Sequence, residues 1–357
     1  MDNDKTNGSS CPCAPRRSDT ISFIKLAHSK PVSELLTITG KLTLNDRLGH
    51  FLALWGVNRM GHIVKPGLYK MGEPTIDSPV FVSANYTLSF DAVRRALAGT
   101  DCYILVLDTK GVNVWCAAGK GTFGTEELVH RIAWSGLSGI VSHRALILPQ
   151  LSAPGISAHE VQRRSGFRVE YGPVRASDLP EYIKTREATP EMRRVQFSFR
   201  DRLVLTPVEL LHVALPTLVA AIILYLLAGP LAALAAITAV LAGTVFFPAL
   251  LPFIPTHDFS TKGLILGVIV AIPFSIPFAT NPEMPFWANM LTALVPLMIM
   301  PVVTAYLALN FTGCTTFTSR TGVKKEIYRY VPVMALMAGF GILLLVILGI
   351  VRFMKVI

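Results

Sequence analysis

One stretch of this chain concentrates residues able to do chemistry. It runs Asp108-Thr109-Lys110-Gly111-Val112-Asn113-Val114-Trp115-Cys116-Ala117-Ala118-Gly119-Lys120-Gly121-Thr122, straight after the apolar run Tyr103-Ile104-Leu105-Val106-Leu107. A P-loop is excluded: counting back from Gly119 puts Val114 where a glycine is required, and Gly121 follows Lys120 in place of Ser or Thr. Gly119-Lys120-Gly121-Thr122-Phe123-Gly124 matches the letters of a dinucleotide fingerprint, but it comes well after the strand instead of in its first turn. No second cysteine stands three residues from Cys116, so a CxxC redox pair is absent. A lone thiol remains, between a bulky Trp115 and a run of small residues. Two readings stand on the residues alone. Most lone cysteines are buried small side chains. If Cys116 lies in a first helical turn, however, unpaired amides and the helix dipole favour its thiolate, a soft and strongly donating metal ligand. The small residues that follow would then let a large flat body approach the backbone.

The elements that position this stretch alternate. Pro79–Val82, Tyr103–Leu107, Ala145–Leu148 and Phe167–Tyr171 read as strands. Phe90–Leu97, Thr125–Trp134, Ser157–Arg164 and Ser177–Thr185 read as helices, with Thr125 as an N-cap and Gly166 as a stop. The alternation predicts a doubly wound α/β sheet over residues 21–190. Ligands in such sheets sit beyond the carboxyl ends of the strands. Those ends are Asp108–Lys120, Pro149–Gly155 and Gly172–Ala176.

The C-terminal part is built for another solvent. Residues 210–357 hold 7 Lys and Arg and 3 Asp and Glu, whereas residues 1–209 hold 26 and 20. No charged residue occurs from Leu210 to His257, a run of 48 residues. A helix crosses a bilayer with about 20 apolar residues. Five transmembrane helices are therefore predicted, near 210–228, 231–251, 263–281, 286–308 and 332–352, after a linker or interfacial segment at 191–209. With the basic N-terminal region inside, loops 252–262 and 309–331 carry Lys262, Arg320, Lys324, Lys325 and Arg329, which puts the N-terminal domain in the cytoplasm of a multi-pass inner-membrane protein. Intramembrane charge is absent, so Pro216, Pro248, Pro273, Pro277, Pro296 and Pro301 read as kinks in anchors in preference to broken transporter helices.

Composition removes other classes. With 52% hydrophobic and 16% charged residues the chain is not disordered, and 5 cysteines in 357 residues are no disulfide scaffold. Residues 1–20 are polar and read as a disordered tail without the apolar core of a signal peptide. Cys11-Pro12-Cys13 is a weak metal signal, Cys102 reads as core, and Cys314 as a loop thiol. His50, His62, His130, His143 and His159 lack ligand spacing. The net charge of +10 suits anionic lipid beside the membrane, through pairs such as Arg163-Arg164 and Arg193-Arg194, and needs no nucleic acid.

Several segments carry a resemblance. Asn113-Val114-Trp115-Cys116-Ala117-Ala118-Gly119-Lys120 resembles the signature of the corrinoid protein of microbial mercury methylation. Pro66–Tyr69, Ser78–Val80, Ser83–Tyr86, Leu148–Gly155, Tyr171–Ala176 and the loop from Phe311 to Glu326 resemble further blocks of that family, Ser83 standing where it often has Thr. The soluble part is also similar to the corrinoid domain of the corrinoid iron–sulfur protein of the reductive acetyl-CoA pathway.

The resemblance implies a cobalamin at the strand ends, with Cys116 as the lower axial ligand to cobalt. It assigns contacts with the cofactor to Ser83, Asn113, Val114, Trp115, Ala117, Gly119, Lys120, Ala153, Gly172 and Ala176. The histidine-donating motif Asp-x-His-x-x-Gly is missing from this chain. The implied reaction is methyl transfer from methyl-cobalt(III) corrinoid to mercury(II), because a thiolate helps the methyl leave as a carbanion equivalent or a radical. No iron–sulfur cluster set is present in this chain, so electrons must come from a separate protein, which the resemblance implies is a small ferredoxin-like partner with two four-iron clusters; the methyl donor protein is left open. The alternatives are a corrinoid methyl carrier of one-carbon metabolism, or a membrane transporter or sensor with a cytoplasmic ligand-binding domain.

Overall fold

A computed structural model describes residues 35–58, 61–315 and 318–354. The expected disordered tail with Cys11 and Cys13 lies outside the described residues, as does the side chain of Cys314.

The N-terminal part is a six-stranded sheet flanked by helices. Its strands are β1 (Leu36–Ile38), β2 (Gly67–Met71), β3 (Val80–Ala84), β4 (Cys102–Leu107), β5 (Ala145–Leu148) and β6 (Arg168–Tyr171). Its helices are α1 (Leu44–Leu54), α2 (Thr87–Ala96), α3 (Val114–Lys120), α4 (Thr125–Ser135), α5 (Ala158–Ser165) and α6 (Leu179–Thr185). The strand order is β1-β2-β4-β3-β5-β6. Strands β4, β3, β5 and β6 run parallel to one another, as a doubly wound sheet requires. The sheet is nevertheless mixed, because β2 pairs antiparallel with β4. Sequence pattern does not reveal β1, α1 and β2: β1 has only 3 residues, Lys70 interrupts the apolar run of β2, and the apolar side of α1 is exposed.

Both faces are covered, so every residue of β3 and β4 is buried. Val82, Leu105, Leu107, Leu146 and Leu148 pack on one side with Leu128 and Ile132 of α4 and Val161 of α5. Phe81, Ile104, Val106 and Ile147 pack on the other with Phe90 of α2 and Leu179 and Tyr182 of α6. This is the two-period pattern of a sheet buried on both faces. Helix α4 begins where expected, but its cap is Gly124, and the Thr125 hydroxyl instead accepts the Ser157 amide at 2.8 Å.

The C-terminal part comprises α7 (Phe199–Leu203), α8 (Thr206–Ala228), α9 (Pro230–Leu241), α10 (Phe247–Leu250), α11 (Phe259–Ala279), α12 (Phe286–Phe311) and α13 (Arg320–Phe353). These give five segments long and apolar enough to cross a membrane: Phe199–Ala228, Pro230–Leu250, Phe259–Ala279, Phe286–Phe311 and Thr321–Phe353. A π-turn at Ala242–Phe246 joins α9 to α10. Pro216, Pro273, Pro277, Pro296 and Pro301 lie inside helices that continue past them, whereas Pro248 stands in the first turn of α10 after the π-turn. Small residues let backbones touch: a Cβ on Gly263 would fall 2.5 Å from Ala305 Cα, and one on Gly267 would fall 2.4 Å from Pro301 Cα.

The expected loop 309–331 is largely helix, because α13 starts at Arg320 under a Ser319 cap. Hydropathy sees where a helix becomes apolar, not where its backbone hydrogen bonding begins. The polar first turns of α11 and α13 meet below the spans around a cleft of about 540 Å³ lined by Asp258, Lys262, Ser319, Gly322 and Glu326. Buried Lys262 donates to the Leu251 carbonyl at 3.0 Å and to that of Ile254, Glu326 accepts the Ser260 amide, and Tyr330 donates to Asp258 at 2.6 Å.

Candidate functional site

The order β4-β3-β5 means that the chain leaves β3 on one side and returns to its other side. The junction of β3 and β5 is therefore the topological switch point, where a ligand crevice opens beyond the strands' carboxyl ends. A cleft of about 320 Å³ lies there. Its floor is Phe81, Val82 and Ser83 of β3 with Ile147 and Leu148 of β5. Helix α2 forms one wall through Ser89, Ala92 and Val93, and Asn113, Val114 and Trp115 form another. Pro149, Leu151, Pro173, Val174 and Ala176 complete the rim.

The loop that delivers Asn113 is organised by a buried side chain. Asn85, 1% exposed, follows β3. Its Oδ1 accepts the amides of Thr109 and Gly111 at 3.0 and 3.1 Å, and its amide group donates to Asp108 at 3.1 Å. These bonds hold a turn in which Lys110 and Gly111 both have left-handed backbone, at φ +56 and +70. The Asp108 amide donates to Glu127 of α4 at 2.8 Å, and Arg131 fixes that carboxylate at 2.7 Å.

Helix α3 begins with Asn113 as N-cap. Its side-chain oxygen accepts the Cys116 amide at 2.9 Å. Cys116 is thus in the first turn, as the thiolate reading requires, but its own amide is already paired and not open. The thiol is half-buried on the same helix as Val114 and Trp115 and does not line the cleft. Ala117 is buried against the core, whereas Gly119 and Lys120 are exposed near the helix end, and Gly121 closes it at φ +82.

Of the residues proposed from the sequence, the cleft brings together Ser83, Asn113, Val114, Trp115 and Ala176. Ala153 lies in the turn Gln150–Gly155, which abuts α3: a Cβ on Gly155 would meet the Phe123 carbonyl oxygen at 2.3 Å and Ala118 Cα at 3.0 Å. Gly172 is buried beneath, and a Cβ there would stand 3.2 Å from Ile147 Cγ2. The α2 wall and the role of Asn85 are additions that the sequence pattern does not contain. Locating α2 at the crevice needs the strand order, which periodicity does not supply.

Burial separates the two described cysteines. Cys102 is fully buried at the start of β4, and burial together with Asp101 pushes its thiol up to about 12. It stays a neutral core thiol. Burial likewise raises the phenol of Tyr171, whose hydroxyl donates to the Ile156 carbonyl at 3.2 Å. Arg164 holds the Glu126 carboxyl below its ordinary range and so ties α5 to the start of α4. Among the described residues, no group of three His, Cys, Asp or Glu side chains is placed to hold a metal ion.

Residues 52–183 match the family model described as CO dehydrogenase/acetyl-CoA synthase delta subunit. Among curated proteins the chain is similar to the acetyl-CoA decarbonylase/synthase complex subunit gamma of Methanopyrus kandleri, 35% identical over 123 residues, which are 34% of this chain and 26% of that protein. The same subunit of Methanothermobacter thermautotrophicus is 32% identical over 127 residues, 35% of this chain and 27% of its own length. That of Methanocaldococcus jannaschii is 30% identical over 128 residues, 35% and 26% of the two chains. The sheet domain around the cleft is therefore similar to subunits of these complexes, and the chain spans about a quarter of the length of the relatives it matches.

Proposed function

We propose that this chain is a membrane-anchored corrinoid protein that passes a methyl group to mercury(II), with the Cys116 thiolate as the group that would hold the cobalt. One observation carries the reading: the helix bearing Asn113-Val114-Trp115-Cys116 starts at the rim of a cleft at the switch point of the sheet. The residues present fit a bulky, largely apolar ring. The cleft walls are mainly apolar, and on α3 a Cβ added at exposed Gly119 meets no atom within 4 Å.

When bound, the corrinoid would supply a cobalt-carried methyl group, and the Cys116 thiolate would hold the cobalt and favour transfer to an electrophilic acceptor. The chain's own residues present that thiolate. Asn113 pins the Cys116 backbone, the Asn85 network fixes the loop before it, and Trp115 walls the cleft. Lys120 follows Cys116 by one helical turn and places positive charge on the same side. Ser83, Val114 and Ala176 would border the ring, while Ala117, Ala153 and Gly172 support those surfaces. Electrons would come from a separate ferredoxin-like protein with two four-iron clusters, as Cys11, Cys13, Cys102, Cys116 and Cys314 show no cluster-binding spacing. The Lys and Arg bias supports a cytoplasmic sheet domain.

A second reading, a corrinoid methyl carrier of one-carbon metabolism, is favoured by the similarity of residues 52–183 to acetyl-CoA decarbonylase/synthase subunits. Purified protein is expected to contain cobalt and to show a visible spectrum that changes in Cys116→Ala. Methyl transfer to mercury(II), compared with transfer to a thiol acceptor, separates the two readings. Normal methylmercury formation by Cys116→Ala would refute the mechanism.

A further inference from the structure

Helix α1 is amphipathic the wrong way round for a helix in water. Leu44, Leu48, Phe51 and Trp55 follow one another at intervals of four, three and four residues, which aligns them in a single stripe. Leu44 is 82% exposed, Leu48 56% and Phe51 55%, and Phe51 and Trp55 pair with ring centroids 5.9 Å apart. The opposite side carries Asp46, His50 and Ala53, and this polar side faces the protein. Asp46 accepts from Arg94 of α2 at 2.9 Å, and His50 contacts the buried Asp91 of α2 at 2.6 Å. Arg94 also bonds Asp91 at 2.6 Å and the carbonyls of Thr39 and Lys41 at 3.1 Å. The ion network thus clamps α1 in the orientation that turns its apolar stripe outward.

The end of α1 meets the membrane part. A Cβ on Gly56, just past the end of α1, would fall 2.9 Å from Val208 Cγ2 in the first turn of α8. Exposed Phe199 and Val204 of the α7 region stand at the same entry to the first apolar segment, whose own Leu211 and Leu215 are exposed above them. An aromatic pair where a span begins is the composition of an interfacial anchor.

We infer that α1 is an interfacial helix that lies on the bilayer surface, with Leu44, Leu48, Phe51 and Trp55 inserted among the lipid chains. The inference requires the five apolar segments to span a bilayer and does not depend on the corrinoid reading. Its consequence is geometric. Helix α2, clamped to α1 by Arg94 and Asp91, is also a wall of the cleft, so docking α1 fixes the cleft relative to the membrane.

The test uses the full chain in phosphatidylcholine vesicles whose acyl chains carry bromine either near the headgroup or near the chain end. The Trp55 signal is the difference between the intact protein and Trp55→Phe; that of Trp287, at the start of α12, is read in the same way from Trp287→Phe. Leu44→Trp supplies a probe at the other end of α1, read as the signal gained over the intact protein. Bromine near the headgroup is expected to remove about half of the Trp55 signal and about half of that gained in Leu44→Trp, and bromine at the chain end much less. Quenching of Trp287 but of neither α1 probe, with both open to aqueous acrylamide, overturns the inference while leaving the spans intact. Protection of the α1 probes from bromine and acrylamide alike also overturns it, because another segment of the chain would then cover the stripe. An unquenched Trp287 removes the membrane reading itself.

Discussion

At the scale of single residues, the site depends on side chains that hold backbone in place. Asn85 is the main one. Replacing it with alanine strands the Thr109 and Gly111 amides and releases a left-handed turn, at about 1–3 kcal/mol for each unsatisfied group. The midpoint of denaturation in detergent should drop accordingly, and if a corrinoid occupies the cleft its content should fall too, whereas an unchanged midpoint would show that the loop holds itself. The two thiols should behave oppositely. At pH 8 an alkylating reagent is expected to label half-buried Cys116 and to spare Cys102 until the chain is unfolded, as peptide mass mapping would show. Cys102 also has a signed pH effect. Its folded value is raised from 9.0 to about 12, so the folded state keeps a proton that the unfolded state loses. That contribution to stability is complete below about pH 9 and is lost progressively toward pH 12. Cys116 is legible in the sequence because a lone thiol before small residues invites chemistry. Asn85 can be noticed there only as part of a motif, since its partners lie 23 to 26 residues away and meet it through tertiary structure.

At the scale of elements, one glycine within α3 and one packed against it separate folding from ligand space. Gly119 sits within α3, where a Cβ would meet nothing. Gly119→Ala should therefore stabilise the cofactor-free protein by up to about 1 kcal/mol through helix propensity. If a corrinoid lies against α3, the same change should lower cofactor content, and a melting curve read beside a cobalt assay tests both halves. Gly155 is the converse, because a Cβ there collides with the Phe123 carbonyl oxygen and with α3 itself. Gly155→Ala should destabilise with or without cofactor. Strands β3 to β6 and helices α2, α4 and α5 can be read from the sequence because buried parallel strands are short continuous apolar runs, whereas α3 is offered there only as a conditional helical turn at Cys116. Helix α1 cannot, since its stripe of Leu44, Leu48, Phe51 and Trp55 is aimed away from the core that such a pattern normally announces. The start of α13 escapes for another reason: Lys324, Lys325, Glu326 and Arg329 are good helix formers outside an apolar span, and hydropathy counts them as loop.

At the scale of the whole molecule, hydropathy divides the chain correctly into a mixed α/β sheet part and a part with five apolar helices, but it says nothing of what joins them. The junction is a clasp built from residues 190–205. The Met192 carbonyl accepts the amide of cleft-lining Val174 at 2.8 Å, and Arg193 donates to Gln150 at 2.8 Å. Arg175 pairs with Asp201, itself the capping carboxylate of α7 at Ser198. Arg202 is buried and donates to the carbonyls of Pro248 at 2.8 Å and Phe197 at 2.9 Å, while the Phe197 ring meets Phe311 of α12. The Arg175–Asp201 pair is partly exposed, and such pairs contribute about 0–1 kcal/mol. Arg202 should matter far more, because its loss leaves two buried carbonyls without their charged donor, at about 1–3 kcal/mol each. Arg202→Met keeps the bulk and removes the bonds. In vesicles it is expected to speed proteolytic cleavage of the segment between α6 and α7 several-fold, while the apolar helices stay protected by the bilayer and the isolated sheet fragment stays folded. Cleavage at the rate of the unaltered protein would mean that the sheet part is held to the membrane by other contacts, such as Gly56 against Val208, and that the clasp contributes little.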